Sequence, residues 1–307
     1  MVVLPLATRI RLPEAPSEEI LLGPFEEPTP GVLSKLEAAA ERRPAVVFVH
    51  AFPLDSRMWQ GDMEFAAELG HPSVALDLPG FGRSPLVPQQ DPTKAPESSA
   101  KAGGERGWVD VAADAVLRTV EAVGVARAVL VGCSMGGYII FGMLRKRPNC
   151  AAGLVLCDTR ATADSSEAKA TRFQAIGVIE KGGRQDFLEG MLERLVAPGR
   201  LDRDRELANL LKEIVSDQSD SALIGALRGL AERPDSTGQL SSIDVPTAVV
   251  VGAQDRILSV EEAEALACAI KGAEFVVIDE AGHLPNLEEP EAFRQALRDL
   301  LGRVEAG

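Results

Sequence analysis

No apolar run in this chain is long enough to form a bilayer-spanning helix. Nor is there an excess of positive charge. The sequence has 32 Lys and Arg against 46 Asp and Glu, a formal net charge of −14, and its pI is near 4.8. That balance argues against a nucleic-acid partner and against an anionic membrane surface. The negative charge is spread along the chain and reads as a device for solubility. Cysteine is sparse: Cys133, Cys150, Cys157 and Cys268 have neither scaffold nor metal-ligand spacing. Buried thiols in a reducing cytoplasm are the expectation. The start, Met1 to Ile10, has no basic stretch ahead of its short apolar run, so a signal peptide is not expected. No internal repeat is present, and histidine occurs only at 50, 71 and 283.

What the sequence does contain is an α/β pattern. With 307 residues, 46% apolar and 25% charged, it is long enough for one large domain with a smaller inserted element. From about Pro44, strand and helix signals alternate, which predicts a mostly parallel sheet with helices on both faces. Strands are expected at Ala45–His50, Ser73–Asp77, Ala128–Val131, Gly153–Cys157, Thr247–Val251 and Glu274–Asp279. Helices are expected at Arg57–Leu69, Trp108–Val123, from Ser134 to about Arg147, and at Pro290–Leu301. The first forty residues are expected to add one or two edge strands.

Two stretches interrupt the alternation. Pro85–Gly107 is rich in Pro, Ser, Gln, Lys and Gly and reads as a mobile surface loop. Residues 159–236 carry helical patterns without a strand: Ser165–Glu180, Arg184–Leu195, Asp202–Ser216 and Ser221–Ala231. The domain reading is therefore a core of residues 1–158 and 237–307, with a helical cap inserted at 159–236.

The most informative run is Gly132-Cys133-Ser134-Met135-Gly136, a G-x-S-x-G between a strand signal and a helix signal. A strand that turns into a helix through one serine strains that residue, and flanking glycines relieve the crowding. The hydroxyl then stands at the sheet edge beside free N–H groups of a helix start, suited to attack on a carbonyl carbon. Cys133 is expected to point away from the hydroxyl and pack.

A serine needs a base. His283 follows the last expected strand, at the carboxyl edge where functional loops of such sheets gather. His71, before a strand on the opposite edge, is expected at the surface. The base needs a carboxylate to set its tautomer. Asp255 and Asp158 both follow strands at that edge. Asp255 is favoured because its loop neighbours that of His283 and because the chain order is then Ser, Asp, His. The oxyanion needs donors: the N–H of Met135, after the serine, and the N–H of Phe52, in the loop His50-Ala51-Phe52-Pro53. His50 is read as bracing that loop.

These pieces, together with Asp77-Leu78-Pro79-Gly80-Phe81-Gly82-Arg83-Ser84 and Ala281-Gly282-His283 through Pro290, resemble the α/β-hydrolase superfamily over about Ala45 to Leu301. The resemblance implies the α/β-hydrolase fold and an acyl hydrolase without cofactor or metal. In it Ser134 is the nucleophile, Asp255 the acid, His283 the base, and Phe52 and Met135 hold the oxyanion positions. Within the superfamily the chain is most similar to carboxylesterases and enol-lactonase-like members, whose partner is a small ester or lactone. One departure is Ala51, where the family usually has glycine. The rivals are carbon–carbon bond hydrolysis, perhydrolysis, and a slow ligand receptor that keeps the triad. Arg160 is a candidate for meeting a substrate carboxylate. Phe173, Ile176, Phe187, Met191 and Leu195 are candidates for lining a pocket. Oligomeric state is not legible.

Overall fold

The computed structural model of the protein describes residues 4–86 and 107–307, so residues 87–106 of the expected surface loop lie outside the described residues. The chain enters as a hairpin of β1 (Thr8–Leu12) and β2 (Ala15–Leu22), antiparallel to each other. Helix α1 (Pro30–Arg42) follows, with Thr29 as N-cap and Pro30 in its first turn. The sequence pattern predicts only one or two edge strands in this region. The Thr-Pro start and the apolar spacing of Val32, Leu33, Leu36 and Ala39 are the signal that could have found the helix.

The alternating part follows: β3 (Ala45–Val49), α2 (Gln60–Glu68), β4 (Ser73–Leu76), α3 (Trp108–Ala122), β5 (Ala128–Cys133), α4 (Met135–Lys146) and β6 (Ala151–Cys157). Five helices intervene, α5 (Ser166–Glu180), α6 (Arg184–Leu195), α7 (Arg200–Arg203), α8 (Arg205–Ser216) and α9 (Asp220–Ala231). The chain then returns through β7 (Thr247–Gly252), α10 (Val260–Ala269), β8 (Glu274–Ile278), α11 (Pro285–Glu288) and α12 (Pro290–Ala306). The expected single helix Asp202–Ser216 divides because the Asp204 carboxylate accepts the Leu207 N–H and starts α8.

The sheet has eight strands in the order β2-β1-β4-β3-β5-β6-β7-β8. Strands β3 to β8 run parallel, and β1 lies antiparallel to β4. Strands β3, β5, β6 and β7 are buried at every residue, as parallel strands covered by helices on both faces must be. The two edge strands each leave a large apolar side chain exposed, Leu21 on β2 and Val277 on β8. Because the six strands share one direction, the loops after them gather on one rim. No helix among the described residues is long and apolar enough to cross a membrane.

Two expectations are corrected. His71 is buried rather than at the surface. Its Nδ1 lies 2.8 Å from the Pro44 carbonyl and its Nε2 3.1 Å from Glu305, on the terminal helix that returns to cover it. Cys268 is exposed on α10, whereas Cys133, Cys150 and Cys157 are buried.

Candidate active site

Strand β5 ends at Cys133 and α4 begins at Met135, so Ser134 alone makes the turn, at φ 52° and ψ −109°. Among the described residues only Phe25, Ser134 and Asp158 hold positive φ without being glycine. Two of the three lie at this rim, and such conformations persist only where the surroundings enforce them. The enforcing contacts are visible. Ser134 N–H donates to the Cys157 carbonyl at 2.8 Å, and its own carbonyl accepts the Thr159 hydroxyl at 2.8 Å. A β-carbon at Gly136 would stand 2.1 Å from the Val49 carbonyl oxygen, so the first turn of α4 can press onto the end of β3 only with glycine there. Ser134 is half-buried.

His283 lies in the loop after β8. Its Nδ1 is 2.6 Å from Asp255 Oδ2, and the two side chains are 2% and 0% exposed. The second Asp255 oxygen accepts the Ile257 N–H at 2.7 Å. Burial pushes the Asp255 carboxyl up, but the facing His283, the Ile257 N–H and a hydrogen bond from Asp158 outweigh it and hold it below the usual carboxylate range. This loop meets the elbow: Cys133 Sγ, one residue before the serine, is 3.5 Å from the His283 carbonyl oxygen. Cys133 therefore packs behind the turn.

Asp158, the competing carboxylate, is also at the rim. It is buried, accepts the Gly252 N–H at 3.0 Å and lies 3.0 Å from Cys157 Sγ. Burial first, then the Asp255 charge, pushes its carboxyl well above the usual range. Asp158, Asp255 and His283 each place one ligating atom within 4.8 Å of the others, as do Cys133, Cys157 and Asp158. Among the described residues these are the donor sets that could meet a metal ion, and both are already joined by bonds among themselves.

Phe52 and Met135 supply the candidate oxyanion donors. Met135 is the first residue of α4, where an N–H has no partner within the helix. Among the described residues neither its N–H nor that of Phe52 finds an acceptor. The Phe52–Pro53 peptide is cis. Ala51 fits the loop with an ordinary φ, since it is absent from the positive-φ residues. His50 is fully buried, takes the Leu78 N–H on Nε2 at 2.9 Å and faces the Ala51 carbonyl with Nδ1 at 3.0 Å. It braces two loops. Burial lowers its pKa, so it stays neutral.

The helices between β6 and β7 reach over this rim. The Phe52 ring lies 6.4 Å from that of Phe187 on α6, and Gln218 bonds Gly82 N–H and the Asp55 carboxylate. Of the other pocket candidates, Ile176 and Leu195 are buried, Met191 is half-buried and Phe173 is 47% exposed. Arg160 is occupied by Glu262 at 3.0 Å and the Ile257 carbonyl at 2.6 Å.

One residue was missed. Glu288 is buried and accepts the N–H groups of Gly282 and Leu284, on either side of His283, and of Ala197. A buried carboxylate five residues after the histidine has no local periodicity to betray it.

A model of the alpha/beta hydrolase family matches residues 46–296. The chain is similar to the pimeloyl-(acyl-carrier protein) methyl ester esterase of Neisseria meningitidis serogroup A, 29% identical over 240 residues, covering 76% of this chain and 69% of that one. It is 24% identical over 255 residues to the 3-oxoadipate enol-lactonase 1 of Acinetobacter baylyi, covering 83% and 87%. Among solved structures, a thermophilic esterase from Thermogutta terrifontis with malate bound superposes with a TM-score of 0.74 at 36% identity, covering 85% and 90%.

Proposed function

Because the chain belongs to the alpha/beta hydrolase family, we propose that it hydrolyses carboxylic esters or lactones by acyl transfer through Ser134, His283 and Asp255. The observation that carries this reading is the 2.6 Å contact of His283 Nδ1 with Asp255, on the rim that holds the serine turn. A carboxylate there keeps the proton on Nδ1 and leaves Nε2 free to act as base. His283 takes the Ser134 proton as Oγ attacks the carbonyl carbon. The oxyanion that forms accepts hydrogen bonds from the Phe52 and Met135 N–H groups. His283 then protonates the departing alkoxide, activates water, and the acyl-serine is hydrolysed. The ester and lactone chemistry named for the similar proteins supports this substrate class.

In this reading residues 159–236 act as a cap that shapes the acyl pocket over a core of residues 1–158 and 237–307. The cytoplasm suits a chain whose four cysteines are all free thiols. With a net charge of −14 the partner is a small ester or lactone rather than a nucleic acid. The deciding experiment is Ser134→Ala with folding checked by circular dichroism. Hydrolysis of p-nitrophenyl esters is expected to vanish, and undiminished turnover would end this reading.

A further inference from the structure

Two acids share one buried space beside His283. Asp158 closes β6 and Asp255 follows β7, adjacent parallel strands paired from Leu154↔Thr247 to Cys157↔Val250. Asp158 sits there in a strained conformation, φ 45°, which turns its carboxyl towards the end of β7, where it takes the Gly252 N–H at 3.0 Å. Asp255 N–H in turn donates to the Gly252 carbonyl at 3.1 Å, so both acids are tied to the backbone of one residue. The groups facing Asp158 are Asp255, His283, Cys133 and Cys157, all within this cluster and none of them an Arg or Lys.

Two carboxylates so close in an enclosed site cannot both ionise. Asp255 has the imidazole and the Ile257 N–H to stabilise its charge. Asp158 has a thiol and one N–H. The proton therefore belongs to Asp158. Building on the hydrolase reading above, we propose that Asp158 is a positioning residue of this site, a neutral carboxylic acid whose O–H donates to the Asp255 carboxylate. It fixes the rotamer of that carboxylate, and through it the His283 ring, without adding a second negative charge. The role explains why a non-glycine residue holds a left-handed conformation at this point.

Asparagine can replace a neutral acid here, since its amide donates to Asp255 while its oxygen accepts from Gly252. Alanine cannot. The first test is infrared difference spectroscopy of wild type against Asp158→Asn at neutral pH, in the full chain. A buried protonated-carboxyl band is expected in the wild-type-minus-Asp158→Asn difference, also when both proteins carry Ser134→Ala, because the contributions of the other raised carboxyls, Asp62 and Glu288, are shared and cancel. No such band in the difference overturns the proposal whether or not the protein hydrolyses esters. The second test is kinetic. Asp158→Asn is expected to keep kcat within about threefold, and Asp158→Ala to lose about tenfold or more at nearly constant KM, the usual effect of losing a hydrogen bond to a charged group. Equal large losses in both variants would make Asp158 an ionised relay member, and no loss in either would leave it without a positioning role. Each of those outcomes refutes the assignment.

Discussion

The backbone N–H of His283 donates to the carbonyl of Leu195 over 3.1 Å, joining the loop of the candidate base to the last residue of α6. Further ties reinforce this one. Glu288 accepts Ala197 N–H at 2.7 Å and Gly282 N–H at 2.8 Å. Arg200 pairs with Glu289 at 2.8 Å and also bonds the Glu288 carbonyl, and Arg256 reaches the Val196 carbonyl at 3.3 Å. The stretch 195–200 is thus a strap across the histidine loop, and the helical segment cannot shift there without disturbing His283.

The strap predicts that Glu288→Gln costs stability and turnover together. One of the three N–H donors would then face an amide NH2, an unsatisfied buried pair worth about 1–3 kcal/mol. Chemical denaturation should show that loss, and kcat should fall about tenfold with KM little changed.

Replacing Asp255 by asparagine should preserve the fold and cripple the reaction. The amide can offer its NH2 to Nδ1 and so select the wrong imidazole tautomer, which in serine triads lowers kcat about 10⁴-fold. Steady-state hydrolysis of an activated ester, with the melting temperature as control, measures it.

Gly136→Ala should fail to accumulate as folded protein or lose several kcal/mol, more than an ordinary surface change. The new methyl would overlap the Val49 carbonyl oxygen at 2.1 Å, a backbone atom with no rotamer to move into. Soluble yield and thermal unfolding report the outcome.

Asp62 gives the protein a pH-dependent weakness. It is buried beside Asn286 at 3.1 Å and Arg294 at 3.5 Å, and burial outweighs both, pushing its pKa up to about 7 from the ordinary 3.8. The folded state then binds this proton more tightly than the unfolded chain, so stability falls as pH rises from about 4 towards 7. Glu288 and Asp158, also raised, add the same sign, whereas His50 and His71, lowered by burial, act in the opposite sense towards the upper end of the range. The test is therefore the difference between wild type and Asp62→Asn: across that range the melting temperature of the variant should gain on that of the wild type as pH rises. A difference that stays constant with pH would clear Asp62 of this role.

The order of elements from β3 to α12 was legible because central strands of a doubly covered sheet are apolar without interruption and their helices are amphipathic. Helix α1 was not recognised, since its burial rests on few residues, Leu36 and Ala39. The surface expectation for His71 failed because a polar ring beside proline looks exposed until Glu305, far along the chain, comes back to pair with it. Cys268 shows the converse, an apolar-looking position in α10 that faces solvent.

By itself the sequence determined the strand–serine–helix turn, the loop that carries His283 and the two acids able to serve it, because each follows from residues near one another along the chain. Only the tertiary structure decided which of those acids touches the imidazole, that the other lies against its partner, and that Glu288 holds the histidine loop under the strap. These depend on which strands become neighbours and on what is enclosed between them. Periodicity records whether a residue is buried but carries no trace of the group it is buried against.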